Sequence, residues 1–417
     1  MKSLPFFLLT ALIAVSFLAC HRKTASTLLS VDDKKFTSRF EFDRSKSKCN
    51  KPEAYIPDTL HPDHFYTRTI RINFTLVHDS TGSNNYKDGV AQTYLWGMVD
   101  NGNFRMASNF KMNLPKGNKT PSYNPHLSWK ITQTKGFERE GGYYFVKEKK
   151  ENAYFMSYGK KQNNYTRSVV DQHLVGKDSI LNVFIISHPT DSIGSKSFRS
   201  STSGISLGNS IKLGGLYHKN KENWEHATLL NHEIGHVFSL NHSWYDDGCE
   251  DTPNNANCYS VTGVPPCDSL ISNNLMDYNN SQMAITPCQI GRMHMVIARE
   301  TSEQRKFVVP DWCTLDTSHV IIISENIAWN GAKDMANNII IKDGASLKLC
   351  CRVSMPKNSS ITIEPGGQLI LEEVKLHNAC GDQWQGVIIQ HKGKKKGLVE
   401  MYGKVEILNT EPIVGIK

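Results

Sequence analysis

The chain has 417 residues, of which 39% are hydrophobic and 21% are charged. This composition is typical of a globular protein with about two or three domains and excludes an intrinsically disordered chain. The 48 basic and 40 acidic residues leave a net charge of +8 that is spread along the sequence, so nucleic acid is not an expected partner.

The N-terminal segment contains an apolar run from Leu4 to Ala19. Because this run is too short to cross a bilayer comfortably, it predicts a secretory signal at residues 1–20. Its end, "FLAC", resembles the lipobox of bacterial lipoproteins, which implies a lipid on Cys20 that anchors the mature chain to a membrane. Phe17 stands where the lipobox usually has leucine, so plain cleavage near Ala19 is the alternative. We expect an outer-membrane lipoprotein on the periplasmic or cell-surface side, or otherwise a secreted protein.

The chain has ten cysteines. Because we expect the chain to be exported to an oxidising environment, these cysteines predict disulfide bonds. If Cys20 carries a lipid, nine remain, and an odd number leaves at least one outside a disulfide. Four of them crowd one stretch, which indicates a loop-rich region that needs cross-links: Cys249, Cys258, Cys267 and Cys288. The pairings cannot be read from the sequence.

Several predicted elements precede the histidine-rich stretch. Residues 21–55 are polar and rich in serine and lysine, which is typical of a tether. "TRTIRINFTLVHD" (67–79) alternates apolar and polar residues and predicts a half-buried strand, and "GVAQTYLWGMVDNGNFRMA" (89–107) has helical spacing. "SILNVFIIS" (179–187) predicts a buried strand. "GISLGNSIKLGGLY" (204–217) predicts a single strand that is more exposed than the first, and its glycines indicate a bulge or a sheet edge.

A helix begins near Asn223, a plausible N-cap, and carries His232 and His236 on one of its faces. Residues four apart on a helix lie one turn above each other, so both histidines can bind one metal ion. Glu233 lies between them and can act as a general base on a water molecule. A catalytic zinc takes three protein ligands, and His242 can be the third if the chain turns back sharply after the helix. A core helix without a metal is the alternative.

Two features follow the histidines. Thr286, Pro287 and Gln289 form a capping box that predicts the start of a second helix. Further on, Ile339–Leu347 and Ile361–Leu369 align at an offset of 22 residues, each with glycine at the sixth position. Strands that repeat at this period predict the rungs of a parallel β-helix, with a β-sandwich as the alternative.

The long pattern His-Glu-x-x-His-x-x-Gly-x-x-His is that of the metzincin clan, and three further stretches narrow the resemblance to the pappalysin (cytophagalysin) family. "NNLMDY" (Asn273 to Tyr278) resembles the Met-turn of that family. "GCEDTP" (Gly248 to Pro253) resembles its Cys…Asp-Thr-Pro loop, and "ITPCQIGRM" (Ile285 to Met293) resembles its Phe-Thr-x-x-Gln-x-x-Arg-Met helix. The resemblance covers about residues 60–300 and is strong only from His232 onward.

The resemblance implies one catalytic Zn²⁺ held by three histidines, His232, His236 and His242. It also implies Glu233 as the general base, Met276 as the hydrophobic floor under the metal, and Tyr278 as a hydroxyl that steadies the oxyanion. For Met276 an ordinary core position is the alternative, and for Tyr278 a purely structural hydroxyl. The Asp-Thr-Pro loop is shorter than in members of the family that bind calcium, which makes a Ca²⁺ site doubtful.

Two positions depart from the family pattern or raise a separate question. Ser239 replaces a glycine that is normally left-handed, at a cost of roughly 1–2 kcal/mol. Zinc binding contributes on the order of 10 kcal/mol in structural sites, so a strained serine can weaken the site without abolishing it. Metzincin relatives can be kept latent by an upstream cysteine, which raises that role for Cys49. No latency motif surrounds Cys49, and we expect a disulfide there instead.

We therefore expect an α+β metzincin-like catalytic domain with a mixed twisted sheet, an active-site helix and a loop-rich C-terminal subdomain, at residues 56–310. An all-β accessory domain would follow at residues 311–417. The expected function is zinc-dependent hydrolysis of protein or peptide substrates. One alternative is a surface lipoprotein that acts as a binding or adhesion module with a structural or inactive metal site. A second is a zinc hydrolase that acts on a non-peptide amide.

Overall fold

A computed structural model describes most of the chain after residue 23. The described ranges are 24–29, 49–79, 88–111, 119–132, 143–157, 160–176, 179–189, 203–215 and 222–411. The predicted signal segment, the predicted lipidation residue Cys20 and much of the predicted tether lie outside them. Among the described residues, no helix combines the length and the apolar character needed to cross a membrane.

The N-terminal part of the structure mixes strands and helices. Its strands are β1 (Ala25–Leu28), β2 (Arg68–His78), β3 (Leu127–Ile131), β4 (Tyr143–Lys147), β5 (Leu181–Ile186), β6 (Ser203–Ser206) and β7 (Ser210–Gly214). Its helices are α1 (Asp88–Ser108), α2 (Lys150–Ala153), α3 (Ser168–His173), α4 (Asn223–Val237) and α5 (Pro287–Ala298).

One twisted sheet organises this part, in the order β3-β2-β5-β7-β6. All of its pairings are parallel except that of β6 with β7. Strands β3 and β4 pair with the same side of β2, β3 along its first half and β4 along its second half. Among the strands that the structure describes, β6 is therefore at one edge of this sheet, and none of them pairs with its outer side.

Strand β2 confirms the predicted alternation, since Ile70, Ile72, Phe74 and Leu76 are fully buried in the main core. The prediction that only one face is buried was wrong. Val77, on the opposite face, packs in a second cluster with side chains of α3 and β5. The strand is buried on both sides because it lies in the middle of a sheet that is covered on both faces.

The segment 204–217 was predicted as one exposed strand, and this prediction was wrong. Residues 203–214 instead form a β6–β7 hairpin of two strands, in which β7 is fully buried and β6 is half-buried. Gly208, with φ of +85°, lies in the turn between the two strands, where a left-handed conformation favours glycine. The predicted edge is therefore β6 alone.

Helices α4 and α5 carry the active-site motifs. Asn223, predicted as the N-cap of α4, is instead its first helical residue, because its side chain accepts a hydrogen bond from Asn101 of α1 (3.1 Å). Glu222 is the N-cap, and its amide donates to the Glu225 carboxylate (2.8 Å). The capping box predicted at Thr286 and Gln289 is present at the start of α5.

The C-terminal part is built from strands. They are β8 (Ile321–Ile323), β9 (Asn326–Trp329), β10 (Lys333–Asp334), β11 (Ile339–Ile341), β12 (Ser346–Ser354), β13 (Ser360–Ile363), β14 (Gln368–His377), β15 (Gly386–Lys392), β16 (Lys395–Lys396), β17 (Leu398–Tyr402) and β18 (Glu406–Ile407).

These strands form two sheets. One follows the order β8-β11-β13-β15 and the other the order β9-β12-β14-β17, with parallel pairing throughout both series. Ile339 pairs with Ile361, which realises the offset of 22 residues seen in the sequence. Apolar side chains from both sheets, such as Ile361 and Leu349, fill the core between them.

Several contacts join the two parts. The Asp334 carboxylate, 2% exposed, accepts hydrogen bonds from Arg305 (2.6 Å) and Arg352 (2.5 Å). Strand β1 pairs antiparallel with β15, at the outer edge of one C-terminal sheet. One disulfide also spans the junction, Cys49–Cys351, and Cys313–Cys380 lies beyond residue 310.

Candidate active site

The three predicted histidines converge on one point. The Nε2 atom of His236 lies 3.1 Å from Nε2 of His232 and 3.1 Å from Nε2 of His242. Two nitrogen ligands of a tetrahedral zinc, each about 2.1 Å from the metal, lie about 3.4 Å apart. The spacing of the three nitrogens is therefore close to that of a shared metal ion.

Backbone carbonyls fix the orientation of two of the imidazole rings. The Nδ1–H of His232 donates to the Leu275 carbonyl (2.7 Å), and the Nδ1–H of His236 donates to the Leu240 carbonyl (2.8 Å). Because each ring carries its proton on Nδ1, each Nε2 presents a lone pair to the centre. Lone pairs that face each other repel, so this donor set fits a cation between the rings.

The three histidines are neutral in this environment. Burial, with a contribution from neighbouring His236, lowers the pKa of His232 to about 3. Burial, again with a contribution from His236, lowers the pKa of His242 to about 4. Burial also lowers the pKa of His236 below its usual range. Neutral imidazole is the form that binds metal ions.

Ser239 forms the turn that the sequence predicts. Its φ of +71° is left-handed, and α4 ends two residues before it at Val237. In this turn the Leu240 amide donates to the Gly235 carbonyl (2.9 Å). The turn has two effects: it brings His242 back to the other histidines and places the Leu240 carbonyl under His236.

Glu233 is buried between the site and the sheet edge, with 4% of its surface exposed. Burial raises the pKa of its carboxyl to about 8, and a backbone hydrogen bond from Ser206 of β6 opposes that rise. A Cβ atom added to Gly204 would lie 2.4 Å from Glu233 Oε1. Strand β6 therefore approaches the glutamate closely only because position 204 has no side chain.

Met276 lies beneath the active-site helix, as the Met-turn resemblance implies. It is fully buried, and a Cβ atom added to Gly235 would lie 2.6 Å from its sulfur. The Met276 carbonyl accepts a hydrogen bond from the Ser243 amide (3.4 Å), and the Ser243 hydroxyl donates to Asp277. The Met-turn is thus bonded to the residue that follows His242.

Tyr278 lies on the open side of the histidines, with 53% of its surface exposed. Its ring centroid is 4.8 Å from that of His242 and 5.7 Å from that of His232. Trp244, which stacks on His242 at 4.1 Å, also contacts the Tyr278 ring. The tyrosine therefore borders the same space as the three histidine side chains.

A cavity of about 640 Å³ adjoins His232 and Glu233. Its lining includes Gly204 of β6, Tyr278, Trp224 and Arg105. The guanidinium of Arg105 lies 5.8 Å from the centre of the Trp224 ring. A cavity of this size can accept a large side chain.

Sequence reasoning missed three supporting residues. Asn231 accepts a hydrogen bond from Trp129 (2.7 Å) and donates to the Gly102 carbonyl (2.9 Å), which fixes α4 against α1. The Gln282 amide lies 3.1 Å from His232 Nδ1, and Gly204 adjoins the glutamate as described. Of these three residues, only Asn231 could have been found from the sequence, because a polar amide on the apolar side of a helix, just before His232, indicates a buried hydrogen bond.

The cysteines near the site are paired, as their crowding predicts. The disulfides are Cys249–Cys288 and Cys258–Cys267. The Asp251 carboxylate accepts a hydrogen bond from the Cys288 amide (2.9 Å). The described residues of this loop give no support for a calcium site. Cys49 forms a disulfide as expected, which removes it as a thiolate ligand for the metal.

Comparison with known proteins agrees with this geometry. Residues 165–298 match the family model described as Pregnancy-associated plasma protein-A, Peptidase_M43. This segment is a pappalysin-like metalloprotease. It contains the three histidines, Glu233, Met276 and Tyr278, and it ends with the last residue of α5. The family implies a catalytic metal and a protein or peptide substrate.

Solved structures also show a likeness, and no curated protein matches the chain. Mirolysin in complex with compound 9 is 15% identical, with a TM-score of 0.42, over 59% of this chain and 97% of that one. Mature mirolysin of Tannerella forsythia with a cleaved peptide is 16% identical, with a TM-score of 0.39, over 58% of this chain and 96% of that one. Because these scores are low, the conclusions below rest on the family model and the site geometry.

Proposed function

We propose that the pappalysin-like segment is a zinc endopeptidase in which His232, His236 and His242 hold the metal. The observation that carries this proposal is the set of three Nε2 atoms about one point, two of them with lone pairs directed there by backbone carbonyls. Zinc accepts three such ligands and, when bound, supplies a Lewis acid that makes a water molecule nucleophilic near neutral pH.

In this proposal Glu233 is the general base. Its carboxylate accepts the proton of the attacking water and then passes the proton to the leaving amine. The short approach of β6 supports this role, because the backbone of residues 204–206 restrains the carboxylate from one side. Tyr278 directs its hydroxyl towards the oxyanion of the tetrahedral intermediate. Met276 forms the floor that keeps the three histidines in place.

The substrate binds as an extended strand beside β6. This strand ends its sheet and runs next to Glu233, so a peptide that pairs with it passes the site with its backbone aligned. The adjacent cavity of about 640 Å³ accepts one substrate side chain. Cleavage of extended, unfolded segments follows from this mode of binding.

We also propose that the chain has two domains and that it is anchored at the outer membrane. Residues 56–310 form the catalytic domain and residues 311–417 an accessory domain that begins a parallel β-helix. Parallel pairing at an offset of 22 residues supports the β-helix over a β-sandwich, whose sheets are antiparallel. A lipid on Cys20 anchors the chain at the outer membrane, and the "FLAC" sequence supports this anchor.

The test is zinc content together with cleavage of casein or gelatin by the purified mature chain, with and without a chelator. We expect about one zinc per chain, loss of cleavage with the chelator, and recovery when zinc is restored. A chain that binds zinc but cleaves no protein would support the alternative of a surface binding or adhesion module. Cleavage confined to small amide substrates in a parallel screen would support the non-peptide hydrolase.

A further inference from the structure

The N-terminal strand lies against a lysine-rich hairpin. In the pairing of β1 with β15, Ala25 is opposite His391. Strand β15 continues into a tight hairpin in which Lys392 pairs with Lys395 of β16. The hairpin, residues 391–397, therefore begins where β1 begins.

The distance from the predicted lipid to this hairpin is limited by chain length. Four residues lie between Cys20 and Ala25. Five residue steps span at most about 18 Å when fully extended. A lipid on Cys20 therefore holds Ala25, and the hairpin beside it, within about 18 Å of the membrane surface. Two of the connecting residues, Arg22 and Lys23, are also positively charged.

The hairpin offers cations that are not neutralised. All four of its lysines are exposed: Lys392, Lys394, Lys395 and Lys396. Lys395 pairs with Asp343, and the nearby Glu364 pairs with Lys342. The other three lysines of the hairpin have no recorded ion pair with any residue that the structure describes.

We propose that Lys392, Lys394 and Lys396 bind the anionic headgroups of the membrane that carries the Cys20 anchor. This inference rests on the proposed lipidation. Lysines held near an anionic leaflet strengthen membrane binding by about fivefold each. A single anchor with a basic patch fixes a protein at a surface more firmly than an anchor alone. The C-terminal strands then face the membrane.

The test uses the full mature chain with Cys20→Ala, so that no lipid contributes, and vesicles of phosphatidylcholine with or without phosphatidylglycerol. We expect binding only to the anionic vesicles, weakened by salt. The triple variant Lys392→Gln, Lys394→Gln and Lys396→Gln should lower the partition coefficient by on the order of 100-fold. The matched control is Lys130→Gln, Lys160→Gln and Lys161→Gln, which removes the same charge from exposed lysines elsewhere, and it should bind nearly as the parent does.

Equal losses in the two triple variants would overturn the proposal, since net charge alone would then explain binding. Binding to neutral vesicles, or full displacement by millimolar inorganic phosphate, would also contradict it. The anchor is tested separately by the mass of the N-terminal peptide from the membrane fraction. An unmodified Cys20 would remove the proposed anchor, whereas the vesicle assay would still report on the hairpin.

Discussion

The C-terminal strands and the active site depend on their sequences in different ways. Neighbouring strands of the two C-terminal sheets pair in parallel, so that Ile339 lies beside Ile361 and Leu347 beside Leu369. The active site has no such repeat, because it combines α4, the segment after it, the Met-turn and β6. One substitution in a rung disturbs neighbouring rungs, whereas one substitution in the site removes a function that no other residue supplies.

The two regions also bury different groups. The rungs bury apolar side chains whose contribution depends on area and packing. The site buries neutral histidines and a carboxyl whose positions depend on single hydrogen bonds. We therefore expect changes in the C-terminal part to lower stability, and changes in the site to lower activity at nearly constant stability.

The sharpest test of this contrast is Glu233→Ala. We expect the variant to retain about one zinc per chain and its melting temperature, and to lose activity by about 10²–10⁴-fold, the range for a general base. Zinc analysis, thermal melting and casein cleavage measure the three quantities. A variant that cleaves at the wild-type rate would show that Glu233 is not the base.

At the junction of the two regions, Asp334→Ala should destabilise the protein by about 3–5 kcal/mol, because it leaves Arg305 and Arg352 buried without their carboxylate. Denaturant unfolding measures the loss. The exposed Asp343→Ala removes a surface pair and is the control, with an expected cost of about 0–1 kcal/mol. Equal costs would show that the buried cluster does not hold the two parts together.

The same carboxylate gives a dependence on pH. Burial opposes ionisation of Asp334, but Arg352 and Arg305 outweigh it and lower the pKa of Asp334 below its usual value. A group with a depressed folded-state pKa contributes stability that is present above its unfolded value, about pH 4 for aspartate, and is lost as the pH falls. The gap in stability between wild type and Asp334→Ala should therefore shrink below about pH 4.

Gly204→Ala should lower activity by about 100-fold without removing zinc, because the new methyl group displaces the Glu233 carboxylate. Gly89→Ala in α1 is the matched control, since its added Cβ would meet nothing within 4 Å. Cleavage assays and zinc analysis distinguish the outcomes. If the alanine variant at position 204 is fully active, β6 does not restrain the general base.

The smallest effect is expected for the glycine variant at position 239, and the valine variant is its contrast. Ser239→Gly relieves a strain of about 1 kcal/mol but increases the freedom of the unfolded chain, so zinc affinity and activity should be unchanged or slightly higher. Ser239→Val, which tolerates positive φ poorly, should lose both. Competition with a chelating dye measures the affinity. Wild-type behaviour of the valine variant would require His242 to be reconsidered as a ligand.

The sequence predicted those parts of the structure that depend on local pattern. The helix with His232 and His236, the capping box at Thr286 and the left-handed turn at Ser239 each involve residues a few positions apart. Their geometry follows from helical periodicity and the conformational preferences of single residues. The alternation in β2 is of the same kind.

The parts that could not be predicted depend on residues far apart in sequence. Gly204 lies beside Glu233 because β6 is the edge strand of a sheet, and no local pattern gives the order of strands. Asn223 was displaced from the N-cap position by a contact with α1. Similarly, β1 lies in a segment that reads as a polar tether and is a strand only because β15 offers an edge to pair with.

The disulfide Cys49–Cys351 sets an order of assembly. Its cysteines are 302 positions apart, whereas Cys258–Cys267 spans 9 and Cys249–Cys288 spans 39. A chain synthesised from its N-terminus contains both cysteines of each short loop beside the active site before the C-terminal strands exist. The bond of Cys49 has to wait for the C-terminal strands. The loops beside the cleft can therefore be cross-linked first, whereas the catalytic part is fastened to the C-terminal sheets only after Cys351 has been synthesised.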